Sequence, residues 1–460
     1  MLRTNGGGPP HVPETGVRWA PEQVSALAPD EASRRAGNKL AAAGPWSGAG
    51  CDGSGALWGL CKGSGSKPYQ TVVDTTGPAY KCSCPSRKFP CKHALGLLLL
   101  WAADEPTVQE SAVPDWAEEW LAARRKRRED QEQGGAGSGA VAKSADPKAA
   151  RRRAERRAER ITAGATELEQ RLADLLRGGL ASAEQAGYGL WEETAARMID
   201  AQAPGLAGRV RELGAIPGSG PGWPVRLLEE CALVHLLDSA WLGRERLPEP
   251  LAATVRTRVG LTSPADGPAV RDRWMILAQY DTSDGKLTTR RVWLYGRESQ
   301  RAALLLSFGA AGRSPQLALP VGMMMDAEVT AYEGGRPRAE LGEQFSPPIA
   351  IDAPPAGGPC DSAVEAYGQA LCDDPWLESW PVTLTRVIPV PDADGGWQLA
   401  DAEGGGALPI AAAALARPGL WKLVSLAGGR PVTVFGEFGH RGFTPLTAWP
   451  EDMSETVPLI

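Results

Sequence analysis

The dominant stretch of this sequence reads Tyr80-Lys81-Cys82-Ser83-Cys84-Pro85-Ser86-Arg87-Lys88-Phe89-Pro90-Cys91-Lys92-His93-Ala94-Leu95. It contains three cysteines and one histidine in the spacing C-x-C-x6-C-x-H, although the whole chain holds only 8 Cys and 4 His. Three thiolates and one imidazole complete the tetrahedral shell of a structural zinc ion, and no position is left for a reacting water. The predicted ligands of one structural Zn2+ are Cys82, Cys84, Cys91 and His93.

The local pattern supports this ligand set. If residues 81–84 are extended, the first two cysteines point to the same face, because strand side chains alternate with period two. The third cysteine and the histidine follow Pro90 and open the apolar run Ala94–Trp101, which predicts a buried helix. Proline suits the start of a helix, and the positive end of the helix favours a thiolate at Cys91.

Four basic residues surround the predicted ligands, namely Lys81, Arg87, Lys88 and Lys92. They would offset the negative charge of three thiolates, and they could also contact phosphate. The alternative is a set of four ordinary residues in a cysteine-rich loop. A disulfide is disfavoured, because neighbouring C-x-C thiols bridge poorly and the chain shows no secretory signal.

The stretch resembles the SWIM zinc finger, whose pattern is C-x-C-x(n)-C-x-H followed by a helix. The resemblance extends upstream through residues 58–65 and 68–74, which are similar to the hairpin that precedes the ligands in that family. The four predicted ligands match the family ligands one for one. Cys61 lies on the hairpin and is not one of them.

The rest of the chain resembles, more loosely, bacterial proteins that carry one SWIM finger at the start. Such proteins are found alongside MoxR-type AAA ATPases and von Willebrand A-domain proteins. The resemblance therefore implies a protein of one of these two kinds as partner.

Length and composition predict a globular protein of two or three domains, with 460 residues of which 43% are hydrophobic and 23% charged. A net charge of -6 gives no general attraction to nucleic acid, so any such binding would be local.

The start lacks the apolar core of a signal peptide, and the longest apolar run, near Leu95–Ala103, is too short to span a bilayer. Cysteines outside the motif are mostly far apart, as in a reducing compartment, and we expect a cytoplasmic protein.

Composition shifts divide the chain into five parts. They are a leader with short helices (1–45), the SWIM-type zinc finger (46–105), a Trp-containing helix with a basic and Gly-rich linker (106–160), a helical domain (161–262) and a β-rich domain (263–460).

A helix predicted over residues 114–128 carries Trp116 and Trp120 on one face and ends in five basic residues. It could dock its tryptophans on the finger with its basic end in water, or it could act as a nucleic-acid arm. A flexible linker (132–147) and a charged, solvated helix (148–160) are expected to follow. The candidate contacts to nucleic acid or to an acidic partner are Lys81, Arg87, Lys88, Lys92, Arg124, Arg125, Lys126, Arg127 and Arg128.

Leucine periodicity from residue 162 to about residue 247 predicts a small helical bundle with breaks at Pro204 and at residues 217–224. Cys231 and His235 are four apart, a spacing that metal sites use. No second pair lies near them in sequence, so an apolar cysteine and a hydrogen-bonded histidine are the favoured interpretation.

Beyond Pro264 the pattern changes to period two, which predicts a β-sandwich or a partly open barrel. A first hairpin is expected to turn at Asp284-Gly285, and Cys360 and Cys372 are expected among loops. Strands are predicted at 274–280, 290–295, 302–306, 325–331, 382–389, 397–399, 421–426, 432–438 and 442–449.

These patterns predict an α+β multidomain protein: a zinc finger of hairpin and helix, a helical middle region and a β-rich C-terminal domain. No nucleophile elbow, H-E-x-x-H or dinucleotide fingerprint is present, which favours a non-catalytic protein. The first hypothesis is a zinc-binding adaptor for protein interaction. The alternatives are nucleic-acid (DNA) binding through the finger and the basic linker, and an unrecognised enzyme in the β-rich domain.

Overall fold

The computed structural model describes most of the chain, and the fold is a mixed α+β arrangement. The described residues are 18–19, 21–28, 31–63, 65, 67–75, 79–86, 88, 90–133, 147–261, 265, 267–283, 287–310, 315, 317–332, 337–346, 348–393, 395–452 and 455–460. An N-terminal sheet carries the cysteine cluster, helices fill the middle, and two barrels form the C-terminal part.

The N-terminal part is a five-stranded sheet with helices on both faces. Its elements are α1 (Pro21–Ala26), α2 (Glu31–Asn38), β1 (Trp46–Cys51), β2 (Ala56–Cys61), β3 (Tyr69–Asp74), β4 (Ala79–Cys82), α3 (Lys92–Ala102), β5 (Gln109–Glu110) and α4 (Asp115–Gln133). The strand order is β4-β3-β2-β1-β5, antiparallel except for β1 and β5. The hairpin predicted upstream of the ligands is therefore the β2–β3 pair.

Helix α3 is the centre of this part. Every residue from His93 to Trp101 is buried, because an all-round apolar helix must be covered on every side. The sheet covers one side, and α1 and α2 cover the other. A Cβ placed at Gly37 would lie 2.8 Å from the Cβ of Leu95, and one at Gly96 would lie 2.7 Å from the Cβ of Leu40, so both glycines permit close helix packing.

The opposite face of the sheet is covered by α4. Ala117 and Leu121 are buried there against Trp58, and Trp116 and Trp120 are partly buried in the same cluster. Of the two interpretations of this helix, docking of its tryptophans on the finger is the one that the packing supports.

The middle part is a bundle around one large apolar core. Its helices are α5 (Pro147–Gly178), α6 (Ala181–Asp200), α7 (Pro204–Ala215), α8 (Trp223–Leu242), a 3-10 turn (Arg244–Arg246) and α9 (Glu249–Val259). The predicted break at Pro204 is the start of α7. The predicted charged helix is not separate, because it forms the first turns of the 32-residue α5, which continues into the core.

The first C-terminal barrel contains β6 (Ala269–Ser283), β7 (Leu287–Gly296), β8 (Ala302–Ala310), β9 (Met323–Ala331) and β10 (Arg338–Gln344), with β11 (Ile349–Ala350) at its edge. Strands β6, β7 and β8 form an antiparallel meander. Strand β10 pairs in parallel with β8 and antiparallel with β9, and β9 pairs antiparallel with β6. The five strands therefore close on themselves.

The second barrel repeats this order. After α10 (Cys360–Asp373) come β12 (Ser379–Pro391), β13 (Trp397–Asp401), β14 (Ala407–Pro409), α11 (Ala412–Leu415), α12 (Pro418–Ala427), β15 (Val432–Gly439), β16 (Gly442–Pro450) and β17 (Val457–Pro458). Strand β12 pairs with β13 and β15, β13 pairs with β14, and β15 pairs with β16. A parallel bridge from Ile410, directly after β14, to Phe443 of β16 joins the third strand of the barrel to the fifth. A meander whose third strand is parallel to the fifth is the order of an OB-type barrel. Barrels, not a sandwich, thus form the β-rich part.

Two expectations about the β-rich part are wrong. The strand predicted at 421–426 belongs to α12, which has Pro418 in its first turn, Gly428 as a left-handed cap and Leu423 buried against the barrel. Cys360 and Cys372 lie on α10, not in loops. The turn predicted at Asp284-Gly285 lies outside the described residues.

The bundle and the barrels are joined through a buried ion pair. The guanidinium of Arg258 on α9 donates to both carboxylate oxygens of Asp374, from Nε to Oδ1 and from the Nη2 nitrogen to Oδ2, and Asp374 is fully buried. Trp376 adds a hydrogen bond from Nε1 to the carbonyl oxygen of Leu233, 2.9 Å away. No helix in the described ranges is long and apolar enough to cross a membrane.

Candidate metal centre

Strand β4 and the start of α3 bring the four predicted ligands together. Cys82 ends β4 opposite Thr71, and Cys84 follows two residues later. Cys91 is the extended N-cap of α3, and His93 lies in the first turn of that helix. The centre is thus a cross-link between an edge strand and the buried helix.

The geometry fits one zinc ion. One ligand atom from each of Cys82, Cys84, Cys91 and His93 can be chosen so that all four lie within 4.8 Å of one another. The Nδ1 of His93 is 3.6 Å from the Sγ of Cys82 and 4.0 Å from the Sγ of Cys91. A tetrahedral zinc would place nitrogen and sulfur about 3.5 Å apart, given Zn–N of about 2.0 Å and Zn–S of about 2.3 Å. This Cys3His cluster is consistent with one structural zinc ion.

The four groups influence one another electrostatically. Hydrogen bonds with Cys82 and then Cys91 lower the pKa of Cys84 below its ordinary value, whereas hydrogen bonds with Cys82 and Cys84 raise the pKa of Cys91. Burial alone would lower the pKa of His93, but hydrogen bonds with the sulfurs of Cys82 and Cys84 raise it to about 9. A divalent cation replaces protons in such a set, so zinc binding releases protons.

Neighbouring side chains hold the ligands in place. The Thr71 hydroxyl lies 3.2 Å from the Sγ of Cys82, and the Tyr69 ring packs on the His93 ring with centroids 4.9 Å apart. Such outer contacts fix the orientation of metal ligands. Cys61 is fully buried nearby, but it is not part of the cluster, and burial raises the pKa of its thiol to about 11.

Comparison with known families agrees with this site. Residues 73–102 match the family model of the SWIM zinc finger, and residues 156–259 match that of the SWIM-associated four-helix bundle domain. The chain therefore carries a SWIM zinc finger together with the bundle associated with it. No curated protein and no solved structure gives a significant match.

The family match confirms that the stretch around Cys82, Cys84, Cys91 and His93 is a SWIM zinc finger. SWIM zinc fingers are generally non-catalytic domains that mediate protein or nucleic-acid interactions. The bundle match adds a relation that the leucine periodicity did not reveal, because periodicity predicts helices and not their association with a finger.

The candidate contact residues are spread over two surfaces. Lys81, Lys88 and Lys92 are exposed beside the metal centre, and Arg87 lies outside the described residues. On α4, the Nε of Arg124 donates to the Oδ2 of Asp74 over 3.0 Å, and its guanidinium lies over the Trp120 ring. Arg125, which pairs with Glu118, and Lys126 are exposed on α4, and the side chains of Arg127 and Arg128 fall outside the description.

The spacing of Cys231 and His235 does not create a second metal site in the described part of the chain. Cys231 is buried in the apolar core, whereas His235 is exposed and its Nδ1 lies 2.6 Å from the Oε2 of Glu169 on α5. The favoured interpretation of an apolar cysteine and a hydrogen-bonded histidine agrees with this.

The sequence patterns did not single out Asp238, which is fully buried close to Glu169. The available signal was its position four residues after Val234 on the apolar face of α8.

Proposed function

We propose that this protein is a zinc-dependent adaptor that recognises another protein through its SWIM finger. The observation that carries the proposal is the closed Cys3His cluster, in which all four ligand positions of a zinc ion come from the chain. A closed shell has no site for substrate or activated water. The zinc would therefore act by fixing the surface that the finger presents.

Strand β4 is the surface element that the zinc would control most directly. It is the last strand of its sheet, paired with β3 on one side, and within the described ranges no strand covers its other side. Exposed strand edges accept an extended segment of a partner through main-chain hydrogen bonds. Lys81, which is exposed on this strand, would favour an acidic segment.

The resemblance drawn from the sequence supplies the first partners to test, a MoxR-type AAA ATPase and a von Willebrand A-domain protein. We propose the bacterial cytoplasm as the location, because the cysteines outside the cluster are mostly far apart in the sequence, as in proteins of a reducing compartment.

The test combines metal content with partner binding on the full chain. We expect about one zinc per native chain and none in the Cys82→Ser, Cys91→Ser double variant, with loss of binding to a purified partner in that variant. The control is Cys372→Ser, since Cys372 is exposed on α10 and outside the cluster. Full partner binding by a zinc-free double variant would refute the proposal.

Nucleic-acid binding by the finger is the second candidate, and the exposed Lys81, Lys88 and Lys92 around the metal centre favour it. The engagement of Arg124 with Asp74 and Trp120 removes one cation from the proposed basic arm. Charge reversal by Lys81→Glu and Lys92→Glu should abolish oligonucleotide binding if this candidate is right, with Lys422→Glu on α12 as control. Steep loss of affinity with salt would favour nucleic acid, whereas a salt-tolerant protein complex would favour the adaptor.

A further inference from the structure

A cleft of about 710 Å³ lies between the two barrels and α10. Tyr295, Gln300, Arg301 and Ala302 line it from the end of β7 and the start of β8. Trp380 of β12 and Phe435 of β15 line it from the second barrel. Ligand sites commonly have this size and occur where domains meet.

The cleft opens on the outer face of strands β7 and β8. Val292 and Leu294 belong to the core of the first barrel, so Trp293 and Tyr295 on the same strand point outward. Strands β7 and β8 are the second and third strands of that barrel, and this face is the one on which OB-type barrels bind oligonucleotides and oligosaccharides.

The second barrel covers only part of that face. Trp293 packs edge to face against Phe435, with ring centroids 6.3 Å apart, and Leu446 and Trp449 belong to the same buried cluster. Tyr295 and Ala302 lie at the end of the covered region and line the cleft. The uncovered part of the face therefore forms one wall of the cleft.

The chemistry of the lining favours an anion that carries flat rings. The partly exposed Tyr295 and Trp380 supply aromatic surface, and none of the described lining residues is a carboxylate. Arg301 is exposed, and in the described part of the chain no acidic side chain pairs with it. Aromatic rings and an arginine together are typical of single-strand binding, through base stacking and phosphate contact.

Gln300 gives an independent indication. Its φ is +53°, a left-handed conformation that glycine or asparagine adopts more easily in such a turn. Strained residues of this kind are concentrated at functional sites, and Gln300 lines the cleft.

We propose that this cleft binds a short segment of single-stranded nucleic acid, with a base stacked on the aromatic lining and a phosphate bound by Arg301. An oligonucleotide is preferred over an oligosaccharide because a neutral sugar would leave the guanidinium without an ionic partner. The site is separate from the finger and does not depend on the adaptor proposal.

The test is a fluorescence titration of the zinc-loaded full chain with labelled twelve-nucleotide oligo(dT) at two salt concentrations. We expect Arg301→Ala to weaken binding about tenfold and to reduce the salt slope by about one, as for loss of one phosphate contact. Trp380→Leu should weaken binding about tenfold through lost stacking. Arg430→Ala removes an exposed charge outside the cleft and should leave affinity unchanged.

Gln300→Gly separates ligand binding from a folding role. Relief of the left-handed strain should leave thermal stability unchanged or higher, while oligo(dT) affinity falls several-fold. Unchanged affinity in both Arg301→Ala and Gln300→Gly would overturn the proposal. Binding of maltohexaose in place of oligo(dT), or oligo(dT) binding lost only on Lys81→Glu and Lys92→Glu, would also overturn it.

Discussion

The finger and the helical bundle both hold polar groups against an apolar core, but they stabilise them differently. In the finger, four ligand groups converge within 4.8 Å, a geometry that a zinc ion satisfies. In the bundle, Asp238 is fully buried, and the polar group beside its carboxylate is another carboxylate, that of Glu169. Burial, the negative charge of Glu169 and a hydrogen bond with that residue raise the pKa of Asp238 to about 9, so a proton neutralises this group.

The charge of Asp374, which lies at the edge of the same bundle, is neutralised in a third way. Asp374 is as buried as Asp238, but the guanidinium of Arg258 pairs with both of its oxygens. A zinc ion in the finger, a proton on Asp238 and the guanidinium of Arg258 would thus neutralise three anionic sites of one chain. The comparison shows that the loss in the free energy of unfolding when an anion loses its neutralising partner depends on how buried that anion is.

Removal of zinc should have the largest effect. The free energy of unfolding of the finger should fall by an amount on the order of 10 kcal/mol, because the ligand atoms lose their common partner. Chelation should expose the α3 amides to hydrogen exchange while those of α8 stay protected. Equal loss of protection in both helices would contradict the division between finger and bundle.

Loss of Arg258 should have the next largest effect. Arg258→Met leaves the carboxylate of Asp374 buried without its cation, which should destabilise the bundle by about 3–5 kcal/mol. The control is Arg256→Met on the same helix, whose exposed pair with Glu249 is worth less than about 1 kcal/mol. Urea unfolding of the zinc-loaded protein measures the loss of stability in both variants. Similar losses in the two variants would show that burial of Asp374 does not raise the stabilisation that Arg258 provides.

Asp238 should make the stability of the bundle depend on pH. Its pKa is raised from 3.8 to about 9 in the folded chain, so the native state binds more protons than the unfolded state between those values. The free energy of unfolding should therefore fall as pH rises from about 5 to about 8, by up to about 1.4 kcal/mol per pH unit. Asp238→Asn should flatten this slope, and Asp200→Asn, an exposed residue of α6, should not. An unchanged slope in Asp238→Asn would assign the pH dependence elsewhere.

Arg124 should have the smallest effect of these groups. Its ion pair with Asp74 and its position over Trp120 fix α4 on the sheet but lie outside the metal centre. Arg124→Ala should cost about 1 kcal/mol and leave zinc content unchanged. Loss of zinc in this variant would show that α4 is required for the metal centre.

The metal centre could be predicted from sequence because its ligands lie within twelve consecutive residues. The spacing from Cys82 to His93 and the apolar run after it define the ligand set, the buried helix and the choice of metal. The strand predicted at 421–426 was wrong because a short apolar run suits a strand and a buried helix face equally well. Only packing of Leu423 against the barrel separates the two.

Local sequence by itself therefore determined the zinc ligands, the helices of the bundle and the presence of a β-rich region, since each depends on residues close together in the chain. Tertiary structure alone decided the closure of both barrels, the cleft between Arg301 and Trp380, and the burial of Asp238 near Glu169. Those features join residues tens of positions apart. Their energies depend on desolvation and strand pairing, which no local pattern specifies.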